Sequence, residues 1–384
     1  MSDKFSRYPL FLLLALATAG CVLPADKKKE RQTALHPVEI LYARGFSVDT
    51  AAGYIRAAVL RPWQGKEIRQ FSYVITAGGH SGKEAHGTVR IAGPPRRIIC
   101  TSTTHLAFLE RLGELDRVVA ISGRNLVNNP RIRKKLREGT VTDIGYDKNM
   151  DYEQIVRLHP DVVFLYGVGA EVTGIMSRLA SLNIPAVIIG DYLEPSPLGR
   201  AEWIKFFAAF FGKEKRAVAW FDSLAMRYDQ ARFIPREKKE TLPLVMTGLP
   251  WNEVWYVSGG GGLLASFIRD AGGHYVWQEL KGADAVPMDI EQVYRKAGTS
   301  DIWINCGTAS SLQDILNTDE RLGLFAPVKK RRVYNNNARV NRQGGNDYWE
   351  SGVVHPDLIL LDLKHIFHPV PDDGHRMVYY RHLQ

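Results

Sequence analysis

From residue 38 to 92 apolar and polar positions alternate. The segments EILYARGFSV, YIRAAVLRPW, FSYVITA and GTVRIA are separated by Asp-Thr-Ala-Ala-Gly, Gly-Lys-Glu and Gly-Gly-His-Ser-Gly. A period of two broken by such turns predicts three or four antiparallel strands. At Arg97 the pattern changes: RIICT is an unbroken apolar run, followed by Ser102, Thr103 and Thr104, the helical text LAFLERLG and the strand-like DRVVAISG. DYEQIVRL, DVVFLYG, EVTGIMSRLASLN and PAVIIGD continue the alternation, which predicts βα units around a parallel sheet.

Residues 213–233, KEKRAVAWFDSLAMRYDQARF, place Ala217, Trp220, Phe221, Leu224, Tyr228 and Ala231 at intervals of three and four. That spacing predicts one amphipathic helix, roughly 30 Å long at 1.5 Å per residue. After the polar connector IPREKKETLP the βα rhythm restarts with LVMTG, the helix LLASFIRDAGG, YVWQ and DIWINCG, and it closes on the helix PDLILLDLKHIFHP; PWNEVWYVSGGGG reads as a long loop. The text on either side of the long helix is related. NMDYEQIVRLHPDVVFLYG precedes it and PMDIEQVYRKAGTSDIWINCG follows it, each reading Met-Asp-x-Glu-Gln, helix, apolar strand.

The expected fold is therefore α/β: two βα lobes with parallel-type sheets, joined by one long rigid helix, plus an N-terminal antiparallel β appendage. The expected boundaries are an N-terminal leader over 1–21, a tether over 22–37, the appendage over 38–95, one lobe over 96–212, the connecting helix over 213–233 and the second lobe over 234–384. A length of 384 residues exceeds what one core usually serves. The net charge of +9 is spread over small clusters such as RIRKKLR (131–137) and KKRR (329–332), with no nucleic-acid module around them.

The leader carries Lys4 and Arg7, the apolar run from Leu10 to Ala17, and Thr18-Ala19-Gly20-Cys21. The run is too short to span a bilayer. Small residues ending on a cysteine resemble the bacterial lipoprotein signal, which implies cleavage and a lipidated Cys21. The basic, polar ADKKKERQTALHP then reads as a tether. Cys100 and Cys306 end apolar strands and read as small core residues.

Ligands of open α/β sheets sit beyond the carboxyl ends of the strands. No P-loop, dinucleotide fingerprint or nucleophile elbow is present, so the chain reads as a binder rather than an enzyme and implies no cofactor. The run Gly259 to Gly262 reads as a loop close to a ligand rather than a nucleotide site. Of the eleven histidines, His105 alone falls in an expected cleft loop, too few for a bare metal ion. The expected cleft loops instead hold Tyr146, Tyr166 and Tyr192 in one half, and Trp251, Trp255, Tyr256, Arg339, Arg342, Tyr348 and Trp349 in the other. Aromatic faces and guanidinium groups suit a large flat ligand bearing carboxylate or oxyanion groups.

Glu153 and Glu291 occupy the same slot of the two Met-Asp-x-Glu-Gln helices. Locally a first-turn carboxylate favours the helix N-terminus; as a pair they would suit a dimeric partner carrying arginines. Together with the LGELDRVVAISG segment and HPDLILLDL, these features make residues 96–369 resemble the ABC-importer substrate-binding proteins that carry ferric siderophores, haem or vitamin B12. The resemblance implies that Glu153 and Glu291 dock into a permease dimer and that the long helix limits lobe closure. It also implies a lipid-anchored, extracytoplasmic carrier of a small-molecule metal chelate. Ferric siderophore is the favoured cargo, with vitamin B12 or haem as alternatives; a bare metal carrier and a chelatase-like enzyme are the rivals of another class. Two features depart from the family pattern. The appendage lies outside the minimal fold, and Tyr146, Asp147 and Lys148 stand where some B12 binders place tryptophans.

Overall fold

The computed structural model describes residues 34–64, 70–76, 87–146, 149–169, 171–233, 241–370 and 374–384. The leader with Cys21, and residues 22–33 of the tether, lie outside them.

The first sheet contains β1 (His36–Pro37), β2 (Phe46–Ala51), β3 (Tyr54–Val59), β4 (Phe71–Thr76) and β5 (Val89–Ala92), ordered as in the chain. Gly53, at φ +89°, closes the turn between β2 and β3, a backbone region that costs glycine nothing. Phe46, Val48, Ala57, Val59, Tyr73, Ile75 and Ile91 are buried, as the period of two requires. One expectation fails here. β5 runs parallel to β4, and the twelve positions between Thr76 and Val89 match the dozen or so a parallel connection needs, where a hairpin would need only a few.

The first lobe is built from β6 (Ile98–Cys100), α1 (Thr103–Leu112), β7 (Val118–Ile121), α2 (Pro130–Arg137), β8 (Thr142–Asp143), α3 (Tyr152–Arg157), β9 (Val162–Leu165), α4 (Val172–Ser181) and β10 (Ala186–Ile188). The sheet order is β10-β9-β6-β7-β8, all parallel. All four residues of β9 are fully buried, the mark of a strand covered on both faces. α2 is the RIRKKLR cluster, read from sequence as charge alone. Asn129 Oδ1 accepts the N–H groups of Arg131 and Ile132, and Pro130 occupies the first turn, so capping makes the helix although Ile132 is its one buried residue.

α5 (Pro197–Ala209) is buried on all sides but Arg200. A helix apolar all round belongs inside a core, and α5 lies between the first sheet, α1 and the next helix. Its two charged exceptions are paired: Lys205 Nζ donates to Glu202 at 2.7 Å. Glu202 also accepts the N–H groups of Leu41, Tyr42 and Ala43, while Glu194 accepts those of Arg44 and Gly45 and the indole N–H of Trp203. Two buried carboxylates thus hold the first sheet on the lobe.

α6 (Glu214–Ala231) is the long helix expected over 213–233. Its buried stripe is Ala217, Phe221, Leu224, Tyr228 and Ala231. It packs on α5 of the first lobe and on α11 (Pro356–Phe367) of the second, and is therefore clamped along its length rather than free between the halves.

The second lobe contains β11 (Leu244–Thr247), β12 (Trp255–Ser258), α7 (Leu263–Asp270), β13 (His274–Tyr275), β14 (Ala285–Met288), α8 (Ile290–Ala297), β15 (Ile302–Ile304), α9 (Leu312–Thr318), α10 (Ala326–Lys329), β16 (Val333–Asn335), α11 and β17 (Arg381–His382). The order is β13-β11-β15-β16-β17, parallel except for the final pair. The stretch expected as a long loop contains a strand: β12 pairs antiparallel with β14, Trp255 opposite Met288. Trp255 and Val257 point inward and Tyr256 outward. The two lobes correspond. α3 leads into β9, which pairs with the lobe's first strand β6; α8 leads into β15, which pairs with the lobe's first strand β11.

Candidate functional site

The carboxyl ends of β9 and β10 on one lobe and of β15 and β16 on the other bring Tyr166, Tyr192, Asn305 and Tyr348 toward one cleft. A cavity of about 460 Å³ opens there, lined by Tyr192 and Leu193 from the first lobe and by Leu263, Asn305, Tyr348 and Trp349 from the second. Tyr166 donates its backbone N–H to Thr101 Oγ1 at 2.7 Å. Its ring stands edge-on to Tyr192 with centroids 5.1 Å apart. The Tyr192 hydroxyl donates to the Gly167 carbonyl at 2.9 Å, and burial raises its pKa, so it stays a neutral donor. Across the cleft Trp349, half exposed, stands perpendicular to Tyr348 at 4.7 Å. Asn305 lies at φ +55° and accepts the Tyr380 hydroxyl at 2.6 Å. Aromatic faces and neutral hydrogen-bonding groups can hold a large planar or greasy ligand by its body and its polar edge.

The remaining expected residues scatter. His105 is a correction: it is fully buried in α1, packed against Phe164 and Phe207. Ser102 caps the helix through Thr104 N–H, so the helix starts two residues before His105 and turns the imidazole into the core. Burial pushes its pKa down to about 3, and neither ring nitrogen has a hydrogen-bond partner among the described residues. Trp255 is the second correction. It is fully buried, donates to the Thr247 carbonyl at 3.0 Å and stacks on Trp303 and Phe325, because the β12 alternation sends it inward. Tyr256 faces out from the same strand, and Trp251, 69% exposed, sits in the turn before it; neither lines this cavity. Tyr146 is exposed. Arg339 is bound to Asp347 at 2.9 Å and lies over Tyr379, lining a second cavity of about 330 Å³ with Asn128, Asn341 and Glu350. Arg342 is exposed and lines neither cavity.

That second cavity adjoins a clasp between the lobes. Glu350 accepts the N–H groups of Asn128 and Asn129 at 2.6 and 2.7 Å, and the Asn341 amide donates to the carbonyls of Asn125 and Val127. Burial pushes Glu350 up to about 7, against these amide bonds, with Asp347 and Glu110 adding to the rise. Nothing in the sequence pattern pointed to this pairing, which joins loops more than two hundred residues apart.

The Gly259 to Gly262 run is a joint. Gly260 N–H donates to the Leu280 carbonyl and Gly261 N–H to that of Gly282. A Cβ at Gly260 would overlap the Gln278 carbonyl. Close backbone packing, rather than a phosphate, explains these glycines.

Glu153 and Glu291 are both exposed and both stand second in their helices. Asp151 caps α3 through Gln154 N–H, and Asp289 caps α8 through Gln292 N–H. Their surroundings differ. Glu291 meets Arg321 at 2.7 Å; Glu153 has no ion pair among the described residues.

Sequence reasoning missed Arg61, Trp63 and Gln64, which line the main cavity from the first sheet. They lie in RPWQGK, where Pro62 marks a strand end but nothing marks a ligand. Cys100 and Cys306 are buried and free. Among the described residues no group of three or more His, Cys, Asp or Glu side chains could hold a metal ion, and no helix is long and apolar enough to cross a membrane.

A two-lobed α/β protein with an aromatic cleft and a clamped connecting helix is the architecture of a solute-binding protein. A model of the periplasmic binding protein family matches residues 98–340, and the chain belongs to that family. An uncharacterized lipoprotein of Methanocaldococcus jannaschii is 27% identical over 292 residues, 74% of this chain and 67% of its own length. A second uncharacterized lipoprotein of that organism is 27% identical over 250 residues, 63% of this chain and 61% of its own length. The chain therefore spans three fifths to two thirds of these relatives.

Among solved structures, a possible iron-binding periplasmic solute-binding protein of Staphylococcus epidermidis shares the fold with a TM-score of 0.56 and 17% identity, over 72% of this chain and 99% of that one. A periplasmic heme-binding protein of Roseiflexus gives 0.53 at 19%, over 71% and 98%. An ABC-type Fe3+-hydroxamate transport protein of Saccharomonospora viridis gives 0.51 at 17%, over 72% and 94%.

Proposed function

We propose that this protein captures an iron chelate, with ferric siderophore the favoured cargo, in the cleft between its lobes and delivers it to an ABC importer. The observation that carries the reading is the cavity of about 460 Å³ walled by Tyr192, Tyr348 and Trp349. It lies beyond the carboxyl ends of two parallel sheets, where ligands of such folds bind, and its size suits a compact chelate. The names of the iron-binding and Fe3+-hydroxamate structures support iron over other cargo, and the heme-binding structure keeps haem as the second reading. Extracytoplasmic location with lipid anchoring at Cys21 is part of the same reading and is supported by the lipoprotein relatives. The exposed Glu153 and Glu291, framed alike on matching helices, are the proposed permease contacts.

The test is titration of intrinsic tryptophan fluorescence with a ferric trihydroxamate, a ferric tricatecholate, haem and cobalamin. Saturable quenching by a ferric chelate is expected. Binding of none of the four, or of cobalamin or haem alone, would count against iron-chelate capture.

A further inference from the structure

The cleft has three walls. Arg61, Trp63 and Gln64 follow directly on β3 and line the 460 Å³ cavity beside the two lobes. Their position is fixed by the fold. Gln64 donates its N–H to the Val168 carbonyl at 3.3 Å, in the loop after β9. The Arg61 carbonyl lies so close to Gly190 that a Cβ there would sit 2.6 Å from it. Trp63 is 6% exposed and its ring packs 5.7 Å from Phe71. Beneath this edge, Tyr73 of β4 accepts the Ile188 N–H at 3.0 Å and so covers the outer edge of β10. Together with the carboxylates of Glu194 and Glu202, these contacts tie the wall to the first lobe.

The chemistry of this wall differs from the other two. The cavity residues of the lobes are aromatic, aliphatic or neutral, apart from two acids. The Glu194 carboxylate is taken up by Arg44, Gly45 and Trp203, and Asp284 is exposed at the rim. Among the described residues Arg61 is the one cation lining the cavity. It is exposed and has no ion pair among the described residues. A guanidinium beside a strand end, with no ion pair among the described residues, recognises a carboxylate or other planar oxyanion.

We infer that the N-terminal sheet is part of the cargo site and that Arg61 selects cargo carrying an anionic group. The inference rests on the proposed cleft reading and deepens it, since it names a determinant of cargo charge outside the family-matched segment of 98–340.

The experiment uses the full chain and the same four probes, read by tryptophan quenching, for wild type, Arg61→Glu, Arg61→Lys and Arg56→Glu. Arg56 is an exposed arginine of the same sheet, lying over Tyr54 and outside the cavity. Arg61→Glu should weaken the tightest-binding anionic probe at least tenfold while its melting temperature stays at the wild-type value. Arg61→Lys, which keeps the charge but not the fork, should recover only part of the affinity, and Arg56→Glu should bind as wild type. Should Arg61→Glu melt early, Arg61→Met carries the same expectation without introducing a negative charge. Affinity within twofold of wild type for Arg61→Glu, or an equal loss in Arg56→Glu, overturns the inference and leaves the cleft reading standing. A wild type that binds none of the probes overturns both.

Discussion

The buried carboxylate of Glu350, on the second lobe, accepts the backbone N–H of Asn129, on the first lobe, at 2.7 Å. Its companion bond from Asn128 and the Asn341 bonds to Asn125 and Val127 close one end of the cleft. Burial first, and the neighbouring Asp347 and Glu110 after it, hold this acid at about 7 against an ordinary 4.5. An acid raised in the folded state binds its proton more readily folded than unfolded. Folding stability from this group is therefore full below about 4.5 and is lost as pH rises toward 7. The stability advantage of wild type over Glu350→Gln should fall by on the order of 3 kcal/mol between pH 5 and pH 8. Urea unfolding at the two pH values measures it, and a pH-independent difference would show the group to be an ordinary carboxylate.

His105 makes the opposite prediction. Burial alone lowers it to about 3, so acid protonates the unfolded chain first and stability is lost as pH falls from 6.5 toward 3. His105→Leu should flatten the decline of melting temperature between pH 7 and pH 4 and leave cargo affinity unchanged. At pH 7 it should be neutral or stabilising, because two orphaned ring nitrogens cost about 1 to 3 kcal/mol. A loss of cargo binding with an intact fold would return His105 to the cleft.

The two tryptophans separate packing from binding. Trp255→Ala removes a ring stacked on Trp303 and Phe325 and should cost about 3 to 5 kcal/mol in urea unfolding. Trp349→Phe changes a half-exposed ring at the cavity and should leave stability within about 1 kcal/mol. The cargo-induced quench should shrink in Trp349→Phe and persist in Trp255→Phe.

How much of this the sequence disclosed depends on how local each signal was. The Lys213 to Phe233 helix, the paired Met-Asp-x-Glu-Gln segments and the β6 and β9 strands were legible because period and capping residues lie within one window. Trp255 was misplaced because its partner strand, Ala285–Met288, lies some thirty residues on and contains Pro287. His105 was misplaced by the helix start at Thr103. The clasp of Glu350 and the wall at Arg61 exist only through contacts between distant loops, which no periodicity reports.

Docking can be tested apart from cargo. Glu153→Ala and Glu291→Ala should each leave quench titrations unchanged and stability within about 1 kcal/mol, since an exposed first-turn carboxylate contributes about 0.3 to 1 kcal/mol. Uptake in cells carrying the cognate permease should drop sharply in the double variant. The Arg321 pair to Glu291 is exposed on both sides and weakened by solvent, so a permease arginine can displace it. Wild-type uptake by the double variant would remove both residues from the interface.

Five consecutive amide groups, from Leu41 to Gly45, end on the side chains of Glu194 and Glu202. Trimming the gene at residue 96 would leave Glu202 with Lys205 alone and Glu194 with the Trp203 indole alone and strip Trp203 and Phe206 of their cover, so the shortened product should precipitate rather than yield a leaner carrier. Ancestry is constrained in the same way: a lineage could shed this extension only by rewriting α5 as a half-polar helix at the same time.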